Sequence, residues 1–170
     1  MTPLKSYSRP HIWLHWLTLV AVGIQIWTYP AISRTHHAAH LGLEIEPFDL
    51  VLHKVHAISG GVAFLFACWR LWLRWRQPIM PPPDQPVWQT RVAASVHYAL
   101  YAVLLALPVS GFLRMYFLSS AGPVHILLTK ALYLLLVVHV VAALWHAAIC
   151  RDGVVSRMGL RLPFLRQNQN

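Results

Sequence analysis

Four long apolar runs limit what this chain can fold into more than any other feature. Each is longer than the roughly 20 helical residues that cross the hydrocarbon core of a bilayer. With 57% hydrophobic and only 11% charged residues, the chain has the composition of an integral membrane protein. The sequence therefore predicts an all-α fold, an integral membrane four-helix bundle that forms one domain over residues 1–170. The predicted helices span about 11–32, 50–75, 92–118 and 124–149.

The segments between the runs differ in character. Residues 33–49 carry three histidines and three acids and are expected to form a polar loop. Residues 77–89 include PIMPPPDQP, a proline-rich stretch that cannot be helical. The sequence SSAGP before the fourth run is expected to be a tight turn. The first run contains polar and aromatic residues and lacks a clear cleavage site, so it is not typical of a cleaved signal peptide.

The basic residues indicate how the bundle lies in a membrane. The net charge of +9 would suggest nucleic acid in a soluble protein. Here the basic residues cluster at the ends of apolar runs. We therefore expect membrane lipid as a partner, and no nucleic acid. By the positive-inside rule, both termini and the proline-rich segment are predicted to be cytoplasmic. Four basic residues fall on or near the opposite side: Arg34, Lys54, Arg114 and Lys130.

Eleven histidines in so apolar a chain are the anomaly that points to a cofactor. His125 and His139, both in the fourth run, are fourteen residues apart. Fourteen helical residues rotate to within about 40° of four full turns and rise about 21 Å, so both side chains share one face. Two metal ions bridged by common ligands would lie only about 4 Å apart. The spacing instead favours two separate cofactors, one near each membrane surface.

Other helices supply partners at matching depths. His56, early in the second helix, matches His125 as an outer pair, and His15 matches His139 as an inner pair. Two neutral imidazoles from facing helices are a known way to hold a b-type haem. No Cys-x-x-Cys-His motif occurs, which excludes covalent c-type attachment. His97 and His146 remain alternatives to His139 as the inner ligand.

Further residues are candidates for roles near these pairs. Gly60, with Gly61, either leaves a gap for a haem ring or allows close helix packing. Arg70 is expected to bind a haem propionate, with snorkelling to lipid phosphates as the alternative. A buried intramembrane lysine such as Lys130 indicates a functional site. Lys130 and Lys54 are predicted to face an anion or an outer propionate, and Lys54 is alternatively an ordinary interfacial lysine.

A set of short motifs, in order along nearly the whole chain, resembles the bacterial cytochrome b561 family of four-helix dihaem membrane proteins. The motifs are YSRPHIWLHW, LHKVHAISGG with the later WRLWLRW, HYALYAVLLALPVSG, and the His125–His139 pair followed by AALWH and RDGVVSRM.

The resemblance implies a transmembrane cytochrome b domain with two b-type haems. Their ligands would be His15, His56, His125 and His139. It also implies electron exchange with quinone, namely ubiquinone, in the bacterial inner membrane. Stand-alone members of this size resemble superoxide oxidase, which takes electrons from superoxide outside and passes them to ubiquinone. The positive charges of Lys130 and Arg114 depart from the family pattern at the expected outer substrate site.

Three functions follow as hypotheses. The first is a quinone-linked oxidoreductase that takes electrons from superoxide, with the anion steered by positive charge that includes Lys130 and Lys54. The second is a cytochrome b subunit or partner of a soluble periplasmic redox enzyme, of hydrogenase or dehydrogenase type, with no substrate of its own. The third is a non-haem structural or metal-binding bundle. The sharp absorption bands of reduced bis-histidine haem would distinguish the first two from the third.

Overall fold

A computed structural model describes residues 7–78 and 85–160 and confirms the all-α fold. The described residues contain no strand. The fourth helix continues into a π-helical turn, His146–Cys150, and each of the four helices is long and apolar enough to cross a membrane. The four helices are α1 (Arg9–Leu41), α2 (Pro47–Arg76), α3 (Val87–Tyr116) and α4 (Gly122–Trp145).

The prediction of a polar loop over residues 33–49 is wrong in its extent. α1 continues to Leu41 because residues 33–41 contain no glycine or proline that would stop a helix. Gly42 then ends it in the left-handed conformation, with φ of 66°. Pro47, whose missing N–H costs nothing in a first turn, opens α2. The connector is therefore only residues 42–46.

An ion pair joins the C-terminal part of α1, which was predicted to be a loop, to α2. Arg34 donates from Nε and Nη2 to the two carboxylate oxygens of Asp49, at 2.8 and 2.6 Å. Asp49 is buried, whereas the Arg34 side chain is 60% exposed. Asp49, expected in the loop, thus belongs to the first turn of α2 and is engaged by α1.

The third helix begins before its predicted start at residue 92. Val87 follows Pro86, which occupies the N-cap position, and α3 ends at Tyr116. A short 3₁₀ turn, Ser119–Ala121, makes the tight connection to α4. The proline-rich prediction falls largely on residues 79–84, which lie outside the described residues.

The connections define two ends of the bundle. The short-loop end carries residues 42–46 and 117–121, and the termini end carries the start of α1, the end of α4 and the connection between α2 and α3. α1 packs mainly on α2, α3 mainly on α4, and α2 also contacts α3. Over the described ranges, the backbones of α1 and α4 approach each other closely at far fewer positions than those of α1 and α2 do.

An apolar layer fills the middle of the bundle. Its buried centre is Val22, Leu100 and Leu132. Leu132 lies seven residues from both His125 and His139, so the layer separates the two ends of α4. Partly buried residues complete it: Val96, Val103, Leu104, Leu107, Leu135 and Leu136.

Residues 151–160 turn back onto the first helix at the termini end. The indole N–H of Trp16 donates to the carbonyl of Met158 at 3.2 Å. A Cβ at Gly159 would lie 3.5 Å from the Ile12 side chain. The segment after α4 therefore packs beside the start of α1.

Candidate functional site

His56 is hydrogen-bonded to a threonine of the neighbouring helix. Its Nδ1 lies 2.8 Å from Oγ1 of Thr28, which is completely buried. The Ile24 carbonyl lies 2.7 Å from the same hydroxyl and accepts from it. With the hydroxyl proton placed on that carbonyl, Oγ1 accepts a hydrogen bond from Nδ1–H of His56. The lone pair on Nε2 is free to bind a metal.

His125 reaches the same state through different partners. Its Nδ1 lies 3.1 Å from the Leu107 carbonyl and 3.0 Å from Oγ of Ser110. A carbonyl only accepts, so Nδ1 carries the proton and Nε2 offers its lone pair. Gly111 leaves space for the imidazole ring, because a Cβ at this position would lie only 3.2 Å from Cε1 of His125. Polar groups of α3 thus orient a ligand-competent imidazole on α4.

These two residues form the short-loop histidine site. His56 and His125 lie close enough for the charge of one to act on the other. In metal–histidine centres the second ring nitrogen usually donates to a fixed acceptor, which sets the ring orientation and raises ligand basicity. In both His56 and His125, Nδ1 has such a hydrogen-bond partner, and Nε2 is left for a metal. The donor chemistry fits a bis-histidine haem.

The space beside Gly60 is taken by Gln25 of α1. The Gln25 side-chain amide donates to the His56 carbonyl and to Oγ of Ser59, both at 2.6 Å. A Cβ at Gly60 would lie 3.5 Å from that amide nitrogen. On this face the glycine allows α1 and α2 to pack closely, which was the alternative to a haem gap.

The termini histidine site contains His15, His97 and His139 on three helices. The ring centres of His15 and His139 are 6.3 Å apart, and those of His97 and His139 are 5.3 Å apart. His15 and His139 are the pair predicted from the sequence, and His97 is close enough to His139 to remain an alternative. The predicted pair also joins α1 to α4, where backbone packing is sparse.

A buried guanidinium lies close to this site. Arg70 is only 9% exposed and acts electrostatically on both His15 and His139. Its Nε is buried without a hydrogen-bond partner in the described part of the chain, although the guanidinium lies over the Tyr101 ring at 5.5 Å. A buried cation without a counter-charge is costly. A carboxylate such as a haem propionate would satisfy it.

His146 lies apart from this cluster. Its Nδ1 is 2.5 Å from Oδ2 of Asp152, beyond the end of α4. Of the two alternatives to His139, His97 lies within the termini histidine site and His146 does not.

Both Lys130 and Lys54 are exposed. Exposure contradicts the burial predicted for Lys130, but it agrees with the alternative given for Lys54, an ordinary interfacial lysine. Five helical residues rotate by about 140° beyond a full turn, which turns Lys130 away from the face of His125. The spacing of five residues was therefore the signal in the sequence that Lys130 and His125 lie on different faces of α4.

Arg114 is better placed than either lysine near the short-loop site. It lies one turn beyond Ser110 on α3, and its Nε would be 3.3 Å from a Cβ at Gly122. The sequence indicated only that Arg114 adds positive charge on this side of the membrane. Its spacing of four from Ser110 was the available signal, but the role of Ser110 beside His125 was not apparent without the packing.

Comparison with known proteins agrees with this architecture. The chain is 26% identical over 180 residues to cytochrome b561 homolog 1 of Escherichia coli K12, covering 91% of this chain and 97% of that protein. It is 28% identical over 163 residues to cytochrome b562 of Cereibacter sphaeroides, covering 93% and 98%.

A third relative carries a name that states an activity. The probable superoxide oxidase CybB of Yersinia pestis is 25% identical over 180 residues, covering 91% of this chain and 96% of that protein. The family model for prokaryotic cytochrome b561 matches residues 6–160, which include every histidine discussed above. This multi-pass membrane chain therefore belongs to the prokaryotic cytochrome b561 family of electron-transfer proteins, a membership that implies haem b binding.

Proposed function

We propose that the chain is a dihaem b protein that oxidises superoxide at the short-loop end and reduces ubiquinone in the bilayer. One observation carries this proposal: two histidine sites lie at opposite ends of one bundle, with an apolar layer between them. His56 with His125, and His15 with His139, are the proposed ligand pairs. Haem b, when bound, supplies one-electron oxidation and reduction of iron.

The histidines also determine which chemistry is available. If each pair of imidazoles held one haem iron, no position would remain for oxygen or superoxide to bind, and electron exchange would be outer-sphere. Thr28, Ser110 and the Leu107 carbonyl hold the Nδ1 protons, and Arg70 is proposed to bind a propionate at the termini site. The overall reaction balances when two superoxide anions become two O₂ while one quinone gains two electrons and two protons.

The orientation completes the proposal. The positive-inside rule places the termini end in the cytoplasm and the short-loop end outside the inner membrane. Arg114, Lys54 and Lys130 then provide positive charge on the side that superoxide would approach. The charge of Arg34 is offset by its ion pair with Asp49. The name of the Yersinia relative supports this activity, at low identity.

A cytochrome subunit without its own substrate is the second candidate. The Escherichia and Cereibacter relatives are named only as cytochromes, and both are at least as similar to this chain as the superoxide oxidase is. Such a subunit would exchange electrons with a soluble redox partner of hydrogenase or dehydrogenase type at the short-loop end.

An assay of the purified protein alone separates the two functions. Superoxide with a short-chain ubiquinone should reduce the haem and yield quinol without any partner protein. Haem that stays oxidised in superoxide, but is reduced on adding a soluble redox enzyme, would favour the subunit.

The exposed lysines sharpen this assay. Lys130→Gln and Lys54→Gln should each slow haem reduction by superoxide and weaken its dependence on ionic strength, because salt screens charge steering. A shift in haem potential with the salt dependence unchanged would instead assign the lysine to a propionate. If the rate, salt dependence and potential were all unchanged, that lysine would have no part in the function.

A further inference from the structure

We propose that His146, Cys150 and Asp152 form a divalent-metal site for Zn²⁺ at the termini end, separate from both histidine sites. Each residue offers one ligand atom, and the three atoms all lie within 4.8 Å of one another. They supply an imidazole nitrogen, a sulfur and a carboxylate oxygen. Zinc accepts all three ligand types, whereas softer ions prefer sulfur and harder ones prefer oxygen.

The local backbone brings these residues together. The π-helical turn His146–Cys150 closes with a hydrogen bond from Arg151 N–H to the His146 carbonyl at 2.8 Å. Short π-helical segments within helices occur frequently at functional sites. His146 and Cys150, four apart, lie on the same side of this turn.

A second backbone feature returns the carboxylate to that side. Arg151 has φ of 49°, the only positive φ of a non-glycine residue in the described part of the chain. Residues other than glycine rarely adopt this left-handed conformation, and it is retained where the surroundings require it. It reverses the chain so that Oδ2 of Asp152 reaches Nδ1 of His146 at 2.5 Å, while Oδ1 accepts the Val154 N–H at 3.1 Å.

The groups are also accessible. Cys150 is exposed, and His146 and Asp152 are partly exposed. Zn²⁺ would bind Cys150 as the thiolate, with release of the thiol proton, and metal–ligand bonds would replace the hydrogen bond between His146 and Asp152. The thiolate and carboxylate together offset the charge of the ion, and water would take the fourth position typical of a three-ligand zinc site.

Thiol modification tests the site without any measurement of activity. Cys150 in the purified, haem-loaded protein should react readily with a maleimide after chelator treatment. Micromolar Zn²⁺ should slow that reaction, because a metal-bound thiolate is no longer a free nucleophile, whereas Mg²⁺ should not. Cys68, within α2, is an internal reference in the same molecule, and its labelling should not respond to Zn²⁺.

Two ligand variants make the test specific. Asp152→Asn and His146→Gln should each raise the Zn²⁺ concentration for half-protection by at least roughly tenfold. An unchanged haem spectrum in Asp152→Asn would show that the fold is retained, and the wild-type comparison of Zn²⁺ with Mg²⁺ needs no variant. The site would be refuted if Zn²⁺ did not change the rate of Cys150 labelling. It would also be refuted if Zn²⁺ protected Cys150 as well in both variants as in the wild type. Because the readout is cysteine labelling, this result is independent of the superoxide assay.

Discussion

A single buried hydroxyl, that of Thr28, is hydrogen-bonded to Nδ1 of the proposed ligand His56 at 2.8 Å. Thr28→Val keeps the side-chain shape and removes the acceptor, so the imidazole becomes a weaker donor to iron. Weaker donation stabilises Fe(III) less. The potential of the haem proposed at the short-loop histidine site, the outer haem, should therefore rise. A hydrogen bond of about 1 kcal/mol corresponds to roughly 40 mV for a one-electron couple.

Redox titration of both haems measures this shift, and α1 offers a matched control. Thr35 is also buried, but its hydroxyl bonds only to the Ala31 carbonyl of its own helix. Thr35→Val should leave both potentials unchanged. An equal shift in the two variants would mean that Thr28 does not act through His56.

Gly111 is the residue on which the position of His125 depends most closely. A Cβ there would lie 3.2 Å from the imidazole, tighter than an ordinary contact, so Gly111→Ala should displace the ring by a few tenths of an ångström. We expect lower occupancy of the outer haem, with the inner haem retained, by pyridine haemochrome analysis. Gly23→Ala in α1 is the control, because no atom lies within 4 Å of its Cβ position. Full occupancy in Gly111→Ala would contradict this role.

At the residue scale, the sequence predicted the unusual side chains better than their partners. His15, His56, His125 and His139 stand out because histidine is rare in lipid-facing helices, and helix geometry relates two of them. Thr28 and Ser110 are ordinary in transmembrane helices. Their roles depend on which faces of different helices meet, and a single sequence does not contain that information.

At the scale of a helix, the ion pair between Arg34 and Asp49 should stabilise the last two turns of α1. Asp49→Asn removes the charge and should increase hydrogen–deuterium exchange over residues 33–41, with the rest of α1 unaffected. Glu44→Gln, in the exposed connector, is the matched control and should leave exchange unchanged. Equal exchange in wild type and Asp49→Asn would show that the helix end is stable without the pair.

The existence of the four helices was predictable, and their lengths were not. Apolar runs report the part of a helix that lies in hydrocarbon, whereas a helix continues until a residue stops it. Gly42 and Pro47 therefore mark the true ends better than the loss of hydrophobicity at residue 33 does. The same reasoning explains why α3 begins at Val87, directly after Pro86.

At the scale of the whole molecule, the separation of the histidine sites predicts two haems that are lost independently. The wild-type chain should contain two haems b. His125→Ala or His56→Ala should remove one of them, and His139→Ala should remove the other. Reduced-minus-oxidised spectra with haem quantification provide the measurement.

The same series tests the assignment of ligands. Loss of both haems from a helical, otherwise intact His125→Ala protein would contradict separate sites. If His139→Ala kept two haems, then His97, whose ring centre is 5.3 Å from that of His139, would become the better inner ligand.

The apolar layer of Val22, Leu100 and Leu132 has an electrical consequence. Apolar side chains do not relay protons, so the charge proposed to pass through this layer is the electron. An electron moving inward works against a membrane voltage that is negative inside. A charge crossing the whole membrane does about 2.3 kcal/mol of work per 100 mV, and the path between the sites bears a share of it. Each turnover would therefore help to charge the membrane, and a highly energised membrane would slow the protein down.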